Sequence, residues 1–356
     1  MSSETHGGNV LRAARRLGVP VGQITDFSAN INPLGQPPGL REAVVDALAA
    51  TVHYPEINAE SLAEAIALRA GIPVELVLPG SGTSPLIYLL ARVVRAERPL
   101  VVAPAFSEYY SALRQAGSLV LDAFCRPEDD FRPTMATVDA VLAEKPDLVF
   151  LCSPANPTGV LAGEDIVGRL LSESGRLGFL LVLDEAFMDF CLAGRSRESQ
   201  VPDHPNLVVL KSLTKLFAVP GLRLGYLAAG DPGLMKKLRA ASEPWAVNSL
   251  AQAAGLFLLK QDEFVKKTPA AAAALRKELT GVLEPYFELV PSDANFAAGR
   301  PRRGDKDDIV SRLAAKGILL RDLDNFHGMP PGHVRIAARP SGEIAVLKKA
   351  LEELLP

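Results

Sequence analysis

Two spacings of apolar residues alternate along the chain. Short continuous apolar runs occur at Leu100–Ala103, Leu148–Cys152, Phe179–Leu183, Leu207–Leu210 and Leu224–Ala228, each closed by Pro, Gly, Asn or charged residues. Runs of that length without alternation predict strands covered on both faces, as in a parallel sheet. Between and around them, apolar residues recur at helical spacing over Val10–Leu17, Gly39–Ala50, Ser61–Ala70 and Leu86–Val94, and His53-Tyr54-Pro55 closes the second of these because the residue before proline avoids the helical region. Strands alternating with helices predict crossover connections and an α/β architecture, which we read as parallel strands. The pattern then changes. Residues Gly233–Ala274 read as mostly helical with a break at Glu243–Asn248. Beyond them, helices at Asp307–Lys316 and Glu343–Leu355 mix with apolar runs at Phe287–Val290, Ile318–Arg321 and His333–Ala337. The expected organisation is an N-terminal arm (1–38) joining a smaller α+β domain (261–356), with a large domain (39–260) between them.

Composition narrows the function classes. The 356 residues are 48% hydrophobic and 22% charged, ordinary globular usage, and a formal net charge of -3 argues against a nucleic-acid binder. No apolar run approaches a membrane span and no N-terminal apolar leader is visible, so the expectation is a cytoplasmic protein acting on small molecules. Cys125, Cys152 and Cys191 lack metal or disulfide spacing and are expected as free buried thiols, with no metal site.

Chemistry concentrates where the predicted strands end. The first four exits carry Pro104–Tyr110, Ser153–Gly159, Asp184–Phe190 and Ser212–Gly225, and ligands of open α/β sheets sit beyond the carboxyl ends of strands. In the last segment Lys215 lies between Ser212, Thr214 and Arg223; a reactive amine beside a cation or a phosphate clamp is one reading, a loop lysine near a surface arginine the other. Gly80-Ser-Gly-Thr83 opens a predicted helix and suits a phosphate, or simply caps the helix, through Gly82 and Thr83. Asp184, Asn156 and Tyr109 singly fit an N-cap, a turn residue and a core aromatic. Together these residues supply what pyridoxal 5'-phosphate (PLP) requires: an amine for its aldehyde, an acid for its ring nitrogen, a donor to its phenolic oxygen, an aromatic neighbour and a phosphate cradle.

Along nearly its whole length the chain resembles the fold-type I PLP-dependent aminotransferases, through Asn156-Pro-Thr-Gly159, Asp184-Glu185, and Ser212-x-Thr-Lys215 followed by Gly221-x-Arg-x-Gly225. Within that superfamily it is most similar to the threonine-phosphate decarboxylases of cobalamin biosynthesis, through His6-Gly-Gly-Asn9, Asp26–Pro33, Asp184–Phe190, Ala218–Tyr226 and Pro244-Trp-x-Val-Asn248. The fold implied is a large domain with a mainly parallel sheet flanked by helices plus a smaller α+β domain. By residue, the resemblance implies Lys215 as the amine that joins the cofactor, Asp184 at the pyridinium, Asn156 at the phenolic oxygen and Tyr109 stacked on the ring. It implies Gly82, Thr83, Ser212, Thr214 and Arg223 around the cofactor phosphate, with Tyr54 reaching that phosphate from a partner subunit, hence a homodimer with shared sites. Arg335 and Arg321 match substrate-binding arginines, and His6, Asn30 and Asn32 fall in the arm that contacts substrate in the decarboxylases; surface ion pairs and Asx turns are the plainer roles for such residues.

The implied reaction is PLP-dependent decarboxylation of L-threonine O-3-phosphate, a small phosphorylated amino acid. Histidinol-phosphate aminotransferase is the competing activity and a silent PLP-binding regulator a remote third, which the presence of Lys215 and both arginines disfavours. Phe187 stands where many aminotransferases have a tyrosine able to donate to the phenolic oxygen, in keeping with the decarboxylase pattern; Ala155 replaces a common asparagine without evident meaning.

Overall fold

The apolar runs form the middle of a seven-stranded sheet in the computed structural model, which describes residues 7–355. His6 lies outside the described residues. In chain order the strands are β1 Thr25–Asp26, β2 Val77–Gly80, β3 Pro99–Ala103, β4 Leu121–Phe124, β5 Leu148–Cys152, β6 Leu180–Asp184, β7 Leu207–Ser212 and β8 Gly225–Ala229. There follow β9 Phe287–Val290, β10 Phe296–Pro301, β11 Ile318–Leu319, β12 Arg321–Asp322 and β13 Val334–Ala337. The large sheet has the order β2-β8-β7-β6-β5-β3-β4. Its edges, β2 and β4, are the strands that the apolar runs do not announce. Pro79 interrupts β2 and is tolerated at an edge, while β4 is partly solvated and carries Asp122.

The expectation of parallel strands is corrected at β8, which runs antiparallel to both β7 and β2. A parallel return needs a crossover, and the β7–β8 connection holds only the short helix Leu213–Leu216 and a turn. The reversal matters for the site. It starts β8 at the edge where β7 ends, with Gly225 opposite both Ser212 and Gly80, so Arg223 returns beside Lys215 and the Gly82-Thr83 turn. Close approach there demands glycine. A Cβ on Gly225 would lie 2.9 Å from the Lys211 carbonyl and 3.2 Å from the Thr83 nitrogen, and Gly82 has φ +82 with a hypothetical Cβ 2.6 Å from Arg223 Nη2.

A second sheet, β12-β13-β10-β9, is antiparallel throughout. The run Ile318–Arg321 divides in two: β11 pairs in parallel with β1 of the N-terminal arm, and β12 pairs with β13. The arm is further tied to this sheet by Phe27, whose N–H donates to Leu319 O (2.9 Å) and whose carbonyl accepts from Ala337 N–H (2.8 Å). The helix Asp262–Leu283 continues past the expected end at Ala274; Phe264 packs into the core of the large sheet, Leu279 and Leu283 into that of the second. No helix among the described residues is long and apolar enough to cross a membrane.

Replacing Gly225 with Ala should lower unfolding free energy by about 1–3 kcal/mol, because backbone must shift to admit the methyl. Gly168→Ala, in a helix where a Cβ meets nothing within 4 Å, should instead leave stability equal or higher. Urea denaturation of both variants checks the contrast.

Candidate active site

The exits of β3, β5, β6 and β7 open onto one cavity of about 770 Å³, closed on its other side by the N-terminal arm and the second sheet. Lys215, Asp184, Asn156, Ser212, Thr214 and Arg223 all line it, as do Thr83, Tyr109, Asn30, Arg321 and Arg335. Strand pleating sorts neighbours to opposite sides. Asp184 and Ser212 face the cavity, whereas the adjoining Glu185 and Lys211 build an ion network behind it, with Lys211 Nζ 3.1 Å from Asp189 and 3.7 Å from Glu185.

Lys215 is half-buried, and its ammonium pKa is brought down to about 8, first by desolvation, then by the nearby Arg223 and Arg335 cations, with Asp184 opposing. About a tenth of the amine is therefore neutral at pH 7 and half near pH 8, far more than an ordinary lysine offers a nucleophilic role. Arg223 thus acts on the lysine through its charge while lining the end of the cavity where the hydroxyls of Ser212 and Thr214 lie 2.8 Å apart.

Asp184 is clamped at both oxygens: Oδ2 accepts from the Tyr109 hydroxyl at 2.6 Å and Oδ1 from Ala186 N–H at 2.9 Å. Burial raises its pKa, and the Tyr109 bond is the largest effect opposing that rise. This corrects the expected role of Tyr109. Its ring is stacked on Phe150 (4.7 Å, 14°) and its hydroxyl is engaged with the carboxylate, so it orients Asp184. The aromatic at the cavity wall with a partly exposed ring is Phe106, edge-on to Tyr109 at 5.8 Å. Phe106 is the last residue before the helix Ser107–Gln115, whereas Tyr109 already belongs to its inward face. Helical phase was the signal that separates them. Cys152 also borders the cavity, but burial pushes its thiol pKa up, so it remains a neutral wall residue. All three cysteines are free and buried.

At the other end, β12 and β13 place Arg321 and Arg335 directly opposite each other, 4% and 5% exposed. Arg335 donates to Asn156 Oδ1 and to the Ser28 carbonyl (3.0 Å), and its Nε is buried without a partner. With Oδ1 so engaged, Asn156 can offer Nδ2 as a donor. Burial and the neighbouring Arg321 lower the Arg335 pKa. Arg321 donates to Asp322 O (2.7 Å) and Asn325 Oδ1 (2.8 Å) and lies over the Phe326 ring. Like charges opposed across strands are destabilising unless an anion intervenes. Asn30 aims at the same space, 6% exposed with Nδ2 buried and unpartnered.

Of the expected site residues, Gly82 does not itself line the cavity but backs onto the Arg223 guanidinium, and two others lie elsewhere. Asn32 does not line the cavity: its Nδ2 donates to Leu216 O (2.7 Å) and Thr268 Oγ1 (3.1 Å), and its Oδ1 accepts from Leu34 N–H, which consumes the carboxamide in anchoring the arm to the lysine segment. Tyr54 is 81% exposed, stacked on Trp245 outside the cavity. The cavity wall missed from sequence includes Gly8, whose N–H donates to Ser28 Oγ (2.8 Å), Phe106 and Arg339.

Labelling of Lys215 by an amine-selective reagent should follow a pKa near 8. Removing a cation favours the protonated amine, so Arg223→Gln should move that pKa upward; mass spectrometry of the labelled peptide across pH reads the shift, and a downward movement would contradict the electrostatic assignment.

The family described as aminotransferase class I and II matches residues 22–354. The chain is 34% identical over 357 residues to threonine-phosphate decarboxylase of Salmonella typhimurium, covering 99% of this chain and 97% of that one. It is also 34% identical over 337 residues to a histidinol-phosphate aminotransferase of Desulfitobacterium hafniense, covering 92% and 91%. Among solved structures, the L-threonine-O-3-phosphate decarboxylase from Porphyromonas gingivalis superposes with a TM-score of 0.81 at 27% identity, covering 92% of this chain and 98% of that one. A match running from the arm strand to the last helix takes in both sheets and all of the cavity wall except Gly7, Gly8, Val10 and Val21, and on it rests the assignment that this chain belongs to the aminotransferase class I and II family.

Proposed function

We propose that the protein is a PLP-dependent decarboxylase, converting L-threonine O-3-phosphate into (R)-1-aminopropan-2-ol O-2-phosphate and carbon dioxide in cobalamin biosynthesis. The residues present fit the cofactor. Arg223, Ser212, Thr214 and the Gly82-Thr83 turn make an anion cradle into which a Cβ on Gly82 would intrude, and Lys215 supplies an amine of lowered pKa. Asp184 is held for the ring nitrogen, Asn156 Nδ2 for the phenolic oxygen and Phe106 for the ring face. Bound there, the cofactor supplies an electron sink for charge developing at the substrate's Cα.

The observation that carries the substrate assignment is the pair Arg321–Arg335, two buried guanidiniums set opposite one another on adjacent strands. A ligand bearing a carboxylate and a phosphate on neighbouring carbons relieves that repulsion, with Asn30 Nδ2 as a further donor. Holding both anions orients the substrate about Cα so that the carboxylate is the group that leaves. Lys215 Nζ is then suited to return a proton to Cα, since a pKa near the working pH favours general acid catalysis.

Tyr54 and Trp245 belong to an exposed apolar face with Val45, Leu48, Val52 and Ile57. We assign this face to a homodimer in which Tyr54 completes the cofactor-phosphate site of the partner subunit.

Threonine phosphate should release carbon dioxide from the PLP-loaded protein without a ketoacid acceptor. Accumulation of pyridoxamine phosphate with histidinol phosphate, reversed by 2-oxoglutarate, would establish the aminotransferase instead. For the dimer, mixing Lys215→Ala with Tyr54→Ala chains should restore a minority of intact sites and regain part of the activity of the parent; two inactive parents giving an inactive mixture, with dimer formation verified by sedimentation, would refute the shared site.

A further inference from the structure

A third arginine lines the cavity that holds Arg321 and Arg335. Arg339 follows β13 and its side chain is 18% exposed. Its Nε donates to Glu343 Oε2 at 2.8 Å and its Nη2 to Glu343 Oε1 at 3.3 Å, so the carboxylate in the first turn of the helix Ser341–Leu354 holds the guanidinium by one edge. The Nη1 edge takes no part in that pair. Glu343 does not line the cavity.

Charge accounting gives this residue a task. A substrate with a carboxylate and a phosphate ester brings one negative charge plus about two more at neutral pH. Arg321 and Arg335 answer two of these, while Asp26, on the same cavity, subtracts from their field and raises the Arg335 pKa. Arg223 sits with the hydroxyls of the cofactor-phosphate cradle, so it is already committed. We propose that Arg339 is a specificity-determining residue, the third cation that selects substrates carrying a phosphoryl dianion over the same amino acid without phosphate, with Glu343 as its internal competitor. The inference rests on the assignment of a phosphorylated amino acid to this site. A planar guanidinium suits that choice, because it offers paired donors to phosphate oxygens and stays charged throughout the range in which the phosphoryl group titrates.

The test is titration of the PLP-loaded protein with L-threonine O-3-phosphate and with L-threonine, following the cofactor's visible absorption, for the parent, Arg339→Gln and Glu343→Gln. Arg339→Gln should weaken binding of the phosphorylated ligand by about tenfold while shifting L-threonine far less. That difference should shrink below about pH 6, where the phosphoryl group becomes a monoanion. Glu343→Gln, which removes the competing carboxylate, should bind the phosphorylated ligand at least as tightly as the parent. Loss of the Arg339–Glu343 pair as a merely structural contact would weaken both variants alike. That result, or equal weakening of the two ligands in Arg339→Gln, overturns the proposal. Failure of carbon dioxide release would refute decarboxylation without touching this outcome, since the ratio of the two affinities is read from the initial spectral change, before the Cα–carboxylate bond breaks.

Discussion

Repulsion between buried cations is the constraint from which much of the site follows. Arg321 and Arg335 face each other across β12 and β13 with little water available to screen them. The surroundings meet that cost piecemeal: carbonyls at Ser28 and Asp322, carboxamides at Asn156 and Asn325, ring faces at Phe296 and Phe326, and the negative field of Asp26. The field of Arg335 also reaches Lys215, whose pKa falls partly through it. The proposed hold on a substrate anion and the lowered Lys215 pKa therefore share Arg335 as a source.

Much of the framework was legible in the chain. The five apolar runs recur as β3, β5, β6, β7 and β8 within a residue or two, because strands covered on both faces need uninterrupted apolar residues. Edge strands escape that rule, which is why β2 and β4 were silent. The direction of β8 was written in loop length rather than in apolar content. The cavity residues Lys215, Asp184, Asn156, Ser212, Thr214 and Arg223 were readable because they cluster at strand ends. The misassignments share a cause. Tyr109 and Phe106 are near neighbours in one motif, and only the start of the helix decides which ring faces inward. Asn30 and Asn32 are likewise adjacent in pattern, yet Asn30 keeps an unpartnered Nδ2 while Asn32 is bonded at every turn. Arg339 belongs to no motif and is visible only where the chain after β13 passes the cavity.

Behind the cavity, Lys211, Glu185 and Asp189 form a buried ionic cluster one residue away from the groups that face inward. Burial pushes the Glu185 pKa up, while Lys211, Ser196 and the Arg197 N–H oppose that shift. Such a cluster joins the ends of β6 and β7 through directional bonds, so Asp184 and Lys215 depart from strands that are cross-linked beneath them. Positional accuracy at the site thus draws on groups that never meet a ligand.

The arm strand β1 is paired with β11, and Phe27 exchanges hydrogen bonds with Leu319 and Ala337. Ser28, Asn30, Arg321 and Arg335 consequently ride on a single hydrogen-bonded body, whereas Lys215 and Asp184 belong to the other sheet. In the proposed reaction, the substrate's two anions would be gripped by one body and its amine met by the other. The torsion about its Cα would then depend on how the two sheets are seated, and the Asp262–Leu283 helix is rooted in both cores. Were a substrate so held, a small rotation of one sheet on the other would change which bond at Cα stands ready to break, with the same side chains around the reacting carbon.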